Sequence, residues 1–473
     1  MLRYLLLPLC ALLLFGCEQQ KDKLPEVTQV PPIQAQSLPD VPHKPVILLK
    51  DPLNAVLVET PSEAIPTWRK YRDSRPTLVV LSNNPFLTKL PPELKDQTNT
   101  LVLHGSALEI REKASRPHAN PLFFPQIAVT AALQADLVSE VIWVLPIQGT
   151  QEKIDFATFK KQLVDQRIMT AKETETLKQT ADAIVGTLYG HPFRTITLGQ
   201  LPKLSGPILL HIDLSFFAPL YRHEIGTPLY PLIFQILSKL QGPGWPTLAL
   251  TISSSNLVGG MPLDTRFLAP DLQQLFAVPE RLAKPIPTDW KQRAEALYLA
   301  NFFKNEEIQA KYLKMQTEAP DDPSIKYALF QSERELKQGN QSLKSLAAAA
   351  ALDPAYGQAY LDLVQVALKA KRPDAALQML DKAAALFPEN PFIDIKRAEI
   401  LSTYGKPEET IQILARLKKL VWSPIYYPDM PAFFQSLSDE AQKNQKILSA
   451  KHVPAPEVKV PKQMVDDTLL PDK

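Results

Sequence analysis

Short apolar runs without strict polar alternation punctuate the first half of the chain: Val46–Leu49, Ala55–Val58, Leu78–Ser82, Leu101–His104, Val141–Leu145, Thr195–Leu198, Ile208–Leu214 and Leu248–Ile252. Strands covered on both faces read this way, because neither side of the pleat has to meet water, so the pattern predicts a mostly parallel sheet sandwiched by helices. Helical stretches are expected between the runs: from Ser62 as N-cap to about Tyr71, then Pro125–Ala135, Asp155–Asp165, Ala171–Thr187 and Leu229–Lys239. Together they describe an α/β layered domain over residues 45–285. From 286 to about 420 the strand-like runs stop, Ala, Leu, Lys and Gln dominate, and the segment reads as all-α, followed by a terminal helical segment at 421–448.

Prolines mark a period in that helical part. Pro320, Pro354 and Pro388 are each 34 residues apart, and the interval resembles the tetratricopeptide repeat, in which a proline closes each helix pair. The stretch from Gly357 to Pro388 carries the small and large positions of such a unit: Tyr360, Leu363, Val364 and Ala367, then Ala376, Leu380 and Ala383. Small residues let two antiparallel helices approach while Tyr360, Leu363 and Leu380 fill the gaps. The resemblance implies a solenoid that binds partner proteins, with Tyr360, Leu363 and Leu380 in the partner-binding repeat.

The two ends differ from the body. Residues Tyr4 to Phe15 form an apolar run too short to span a bilayer, preceded by Arg3 and followed by Gly16-Cys17. This resembles the processing site of bacterial lipoproteins and implies a signal peptide over 1–16 and acylation of Cys17, which would hold the chain at a membrane surface through its acyl chains. The same resemblance implies, from Glu18 rather than Asp after the cysteine, a place at the outer membrane facing the periplasm. Residues 17–44 and 449–473 are rich in Pro, Gln and charge and read as a tether and a tail that cannot bury enough apolar surface to fold.

Composition narrows the chemistry. The 52 basic and 50 acidic residues leave a net charge of +2, too little for a dedicated nucleic-acid binder. Both cysteines, Cys10 and Cys17, lie in the leader region, so the body has no disulfide and no thiolate metal site. With 15 glycines in 473 residues, phosphate loops and dinucleotide fingerprints are absent, as are a Gly-x-Ser-x-Gly elbow and a His-Glu-x-x-His helix.

One segment concentrates polar groups. In Ile208-Leu-Leu-His-Ile-Asp-Leu-Ser-Phe-Phe217 an extended backbone puts His211, Asp213 and Ser215 on one side of a strand whose exit is where ligands gather in parallel sheets. The segment resembles the Asp-x-Asp-x-Asp-Phe-Phe strand of the arginase/deacetylase-like superfamily. Glu63-Ala-Ile-Pro-Thr-Trp68, Thr77-Leu-Val-Val-Leu-Ser-Asn-Asn-Pro-Phe-Leu87, Asn120-Pro-Leu-Phe-Phe and Val141-Ile-Trp-Val-Leu-Pro146 resemble further landmarks of its uncharacterised branch, in order. That family holds divalent metals on carboxylates and histidine. Here Ser82, Asn84 and Phe86 stand where the resemblance implies Asp, His and Asp, and Ser215 replaces one of the acidic pair beside Asp213. The expectation is therefore a degenerate site, with His211, Asp213, Ser215, Ser82 and Asn84 as a vestigial or ligand-binding cluster, no catalytic residue, no metal and no cofactor. The whole reads as a lipid-anchored envelope scaffold that joins partner proteins and is not an enzyme. The alternative is a metal-dependent envelope hydrolase of amide or amidine bonds, built on His211 and Asp213.

Overall fold

The computed structural model describes residues 44–146, 154–221, 224–256 and 261–450. Cys17, the expected leader and tether, and the tail from 451 lie outside the described residues. Among the described residues nine strands form one sheet: β1 (Val46–Ile47), β2 (Val56–Val58), β3 (Thr77–Leu81), β4 (Glu140–Leu145), β5 (Lys178–Gln179), β6 (Ile184–Leu188), β7 (His191–Thr197), β8 (Ile208–Asp213) and β9 (Pro246–Ser253). Their order is β1-β9-β8-β3-β4-β7-β6-β5, with β2 also on β9. The centre, from β2 through β9, β8, β3 and β4 to β7, pairs parallel, while β1, β6 and β5 add antiparallel margins. The sheet is thus mixed, with a parallel heart.

The unbroken apolar runs behave as their pattern demands. Every residue of β8 is buried, and the two faces of the central strands feed separate cores. Leu78, Val80, Val141 and Trp143 pack under one layer with Ala128–Gln134 and Phe156–Asp165. On the other face Val79, Leu81, Ile142, Leu210 and Ile212 pack against Leu229–Gln241 and Leu268–Ala277.

Three local expectations are corrected. Leu101–His104 ends the helix Lys95–His104 and is not a strand. Arg69 accounts for the difference, donating to the carbonyls of Val102 (2.9 Å) and Gly105 (2.8 Å) at the helix end, a tertiary contact invisible in the local pattern. Ala171–Thr187 is not one helix. Its capping box at Thr170 and Glu173 launches a single turn, Ala171–Thr174, after which β5 and β6 begin. Tyr189 and Gly190, at φ 51° and 85°, make the two-residue turn that folds β6 onto β7 and favours the hairpin. Ser62 is not an N-cap; its hydroxyl donates to Ala114 O at 2.8 Å, tying the segment to the wide helical turn Arg111–Ser115.

The second half is a run of helices packed in antiparallel sequence: Thr288–Ala300, Asn305–Glu318, Pro323–Glu335, Gly339–Leu352, Gln358–Lys369, Pro373–Leu386, Pro391–Thr403, Pro407–Leu417 and Met430–Ala450. A recurring cap-proline pair starts several turns. Asp322, Asp353 and Asn390 each accept the amide two residues on, from Ser324, Ala355 and Phe392, and the proline between them has no amide to leave unpaired. A Cβ at Gly357 would collide with Leu386 Cδ1, so a larger residue there would have to displace that side chain.

This run arches across the α/β layer and meets it at three places. At its start Trp290 stacks on Tyr230 at 4.9 Å and Arg293 lies over Phe267 at 4.4 Å. In the middle Arg266 reaches Asp353. At its end Ser423 N donates to Ala119 O, Tyr426 Oη donates to Leu122 O, and Tyr426 meets Phe124 edge-on at 4.6 Å. Among the described residues no helix is long and apolar enough to cross a membrane.

Candidate functional site

The exits of β8 and β9 do bring polar groups together. His211, Asp213, Thr251 and Ser253 are all fully buried, and Ser255, just past β9, is 1% exposed. Trp68 Nε1 donates to Thr251 Oγ1 (3.3 Å), Thr251 Oγ1 lies 2.9 Å from His211 Nδ1, and His211 Nε2 lies 3.2 Å from Ser253 Oγ. Ser253 in turn donates to Asp213 Oδ2 at 2.5 Å, and Ser255 Oγ donates to the same oxygen.

Counting protons fixes the direction. With Asp213 ionised, Ser253 gives its hydroxyl hydrogen to the carboxylate and can only accept from His211, so Nε2 carries the imidazole proton and Nδ1 accepts from Thr251. The result is a one-way chain, Trp68 to Thr251 to His211 to Ser253 to Asp213, in which every donor is used. Burial holds the imidazole down at about 3, and it is neutral, as the chain requires. Burial likewise pushes the Asp213 carboxyl up, opposed by the hydroxyls of Ser215, Ser253 and Ser255 and the Ser215 amide.

Ser215 is not on the strand, as the alternation had implied, but in the tight turn Leu214–Phe216, whose amide Asp213 caps (Ser215 N to Oδ1, 3.0 Å). Its hydroxyl accepts from Asn83 N at 3.2 Å, which links this turn to the exit of β3. There Ser82 Oγ donates to Asn84 O, Asn84 Oδ1 accepts from Phe86 N at 2.8 Å, and Ser82 O accepts from Trp143 Nε1 at 2.9 Å. Phe86, at φ 56°, and Ser255, at φ 52°, both hold the left-handed conformation, so the exits of β3 and β9 are each locally strained at this cluster. Trp68 and Phe86 close it edge-on over His211 at 5.4 and 6.1 Å.

These residues do not fit a divalent cation. One carboxylate and one imidazole converge, both Asp213 oxygens already accept hydrogen bonds, the Ser82 and Asn84 groups are turned to main chain, and Phe86 supplies no donor atom. Among the described residues no three His, Cys, Asp or Glu side chains gather where they could hold a metal. Nor is the cluster a nucleophilic triad, since the aspartate sits on the serine and not on the imidazole, and no member meets solvent.

Tyr360, Leu363 and Leu380 fill the space between helices, as the repeat pattern implied. Tyr360 (3% exposed) and Leu380 (0%) lie in the core of the helical run with Leu363 packed against them. They hold helices together.

What faces open space is a cleft of about 1060 Å³ between the two halves. The α/β side contributes Leu57, Glu63, Leu108 and Arg111; the helical side contributes the row of turns around Asp322, Asp353 and Pro388. Motif reasoning missed it because its walls come from segments far apart in sequence. Arg266 pins one side, forming paired bonds to Glu59 (2.6 and 2.9 Å) and two to Asp353 Oδ2 (2.7 and 2.9 Å). Burial alone would depress the guanidinium, but its hydrogen bonds and charge contacts with Glu59 and Asp353 raise its pKa instead. Glu63 is different. Its side chain is 7% exposed, Oε2 is 3.4 Å from Arg111 Nε, and Oε1 has no hydrogen-bond partner. No protein-family model matches the chain, and no curated protein matches it significantly.

Asp271, also on the cleft wall, accepts from Tyr230 Oη at 2.9 Å, and burial pushes it up to about 7 from 3.8, partly offset by Arg293. The folded state therefore binds a proton that the unfolded chain has already lost, so this residue's contribution falls as pH rises from about 4 to about 7. His211 acts in the opposite sense, its contribution being complete above 6.5 and lost as pH falls toward about 3. The two slopes largely cancel in the wild type. Asp271→Asn, which keeps an acceptor for Tyr230, is expected to raise stability at pH 8 by up to about 4 kcal/mol and to unmask a steeper loss in acid. Urea unfolding at pH 5 and pH 8 checks it; an equal effect at both would contradict it.

Proposed function

We propose that the chain is a lipid-anchored envelope scaffold whose cleft, roofed by a tetratricopeptide-like helical run, engages a partner protein. In this reading the α/β layer is a degenerate arginase/deacetylase-like domain that lost its metal chemistry and serves as one wall. The observation that carries it is the contrast between the two polar centres. The cluster at His211 and Asp213 is sealed and internally satisfied, while the cleft is open and keeps unsatisfied polar groups at Glu63 and Arg111. A hydrolase of amide or amidine bonds would need the reverse. Anchoring through Cys17 on the periplasmic side of the outer membrane would hold this cleft among envelope proteins.

The test is site-specific photo-crosslinking in a bacterial host. A photo-reactive residue at Leu108, 60% exposed on the cleft wall, is expected to give a discrete adduct in the membrane fraction, and Val366, 48% exposed and not part of the cleft wall, is expected to give none. Cys17→Ser should release the adduct from the membrane. No adduct at Leu108, or the same adduct from both positions, sinks the scaffold reading.

A further inference from the structure

The cleft wall includes a sheet edge. β2 pairs with β9 on one side and, among the described residues, with no strand on the other. In its parallel register, Leu57 faces Ile252 and Val58 faces Ser253, and Ser254 N donates to Val58 O. A parallel ladder uses alternate residues of each strand, so Val56 and Val58 direct their main-chain groups to β9, and Leu57 directs its N–H and C=O away from it. Leu57 is 39% exposed and lines the cleft. An open edge of this kind is a template for another strand.

Charge says what kind of strand fits. Arg266 is committed to Glu59 and Asp353, and Arg293 to Asp322. Arg111 lies against Glu63 without satisfying it. Among the described residues four further carboxylates on the wall, Glu112, Asp289, Glu318 and Glu389, form no ion pair, Asp271 being bonded to Tyr230 instead, and Arg116 is the one remaining cation among the lining residues. The nearly buried Oε1 of Glu63 adds an acceptor with nothing to accept from. The cleft thus presents an excess of negative charge beside a free strand edge, with apolar contact from Leu57 and Leu108.

We propose that the cleft takes an extended, basic segment of a partner protein, which adds as a strand to the free edge of β2. Main-chain bonds to Leu57 set its direction, and Lys or Arg side chains on it meet the carboxylates of the helical turns. This deepens the scaffold reading and rests on it.

The probe is a fluorescein-labelled peptide of about ten residues alternating Val and Lys, titrated against the purified full-length chain by fluorescence anisotropy. Saturable binding below about 100 µM is expected, weakening with added salt. The same peptide N-methylated at alternate amides, and a Val/Glu version, are expected not to bind. Leu57→Pro removes the outward N–H and the Leu side chain while the donors of Val56 and Val58 to β9 remain, so it should weaken binding about tenfold. Glu318→Lys with Glu389→Lys should weaken it and flatten its salt dependence. No binding of the Val/Lys peptide, equal binding of the N-methylated one, or indifference to both sets of substitutions overturns strand addition. The N-methylated peptide keeps the test decisive even for a Leu57→Pro chain that misfolds. Adducts at Leu108 that persist alongside such a failure would leave the scaffold reading standing; their absence would remove both.

Discussion

Arg266→Met is expected to cost about 3–5 kcal/mol and to let the helical arch melt separately from the α/β layer. The methionine keeps much of the stem's packing, so what is lost is charge and hydrogen bonding. Arg266 is 10% exposed and makes five hydrogen bonds, to both oxygens of Glu59, to Asn256 Oδ1 at 2.9 Å, and twice to Asp353 Oδ2, with Tyr356 5.5 Å beneath it. Removing the cation leaves two partly buried carboxylates facing each other, which is far worse than never having had the ion pair. Calorimetry should show one cooperative transition in the wild type and two in the variant. Adding Glu59→Gln and Asp353→Asn should recover much of the loss, because the stranded charges go with the cation. A variant that melts once, at the wild-type temperature, would show that Arg266 does not couple the halves.

Much of the fold was legible because burial on both faces writes itself into composition. β3, β4, β8 and β9 are largely apolar runs without strict alternation, and Asp155 at the start of Phe156–Asp165 caps it as a local signal should, accepting from Ala157 N at 3.1 Å. The misreadings share a cause. Leu101–His104 is held as a helix end by Arg69 from another element, and β5 and β6 exist through pairing with β7, neither of which a window of neighbouring residues contains. The site divides the same way. Alternation along one strand did place His211 and Asp213 together, but Thr251, Ser253 and Ser255, which satisfy them, come from a run read only as a buried strand and loop. Four polar side chains from two strands, with Ser255 just beyond β9, make a closed network only once the register is set, His211 opposite Thr251 and Asp213 opposite Ser253. The prolines marked the helical turns, and the large side chains Tyr360, Leu363 and Leu380 bind the helices to one another as the repeat pattern implied.

Asp213→Asn should be the most damaging near-isosteric change in the α/β layer, lowering stability by about 2–4 kcal/mol. The carboxylate is the terminus of the proton chain: Oδ2 accepts two hydroxyls, from Ser253 and Ser255, and Oδ1 accepts the amide of Ser215. A carboxamide has one acceptor and one donor end. Turned one way, its NH₂ meets the Ser215 amide; turned the other, it meets two hydroxyls that have nowhere else to donate, and the reversal propagates through Ser253 to the Nε2 proton of His211. Either way a buried donor is left unpaired in a site without water access, and that penalty exceeds the value of the bond itself. Combining Asp213→Asn with Ser255→Ala removes one competing donor and should restore about 1 kcal/mol or more, whereas Ser255→Ala alone should destabilise. Urea denaturation of the four proteins closes the cycle, and additive losses would show that the chain is not a unit. Peptide binding in the cleft should be untouched by Asp213→Asn at temperatures where the variant is folded. A working hydrolytic centre would make Asp213 matter to turnover; a sealed network makes it matter to folding, and the cycle separates the two.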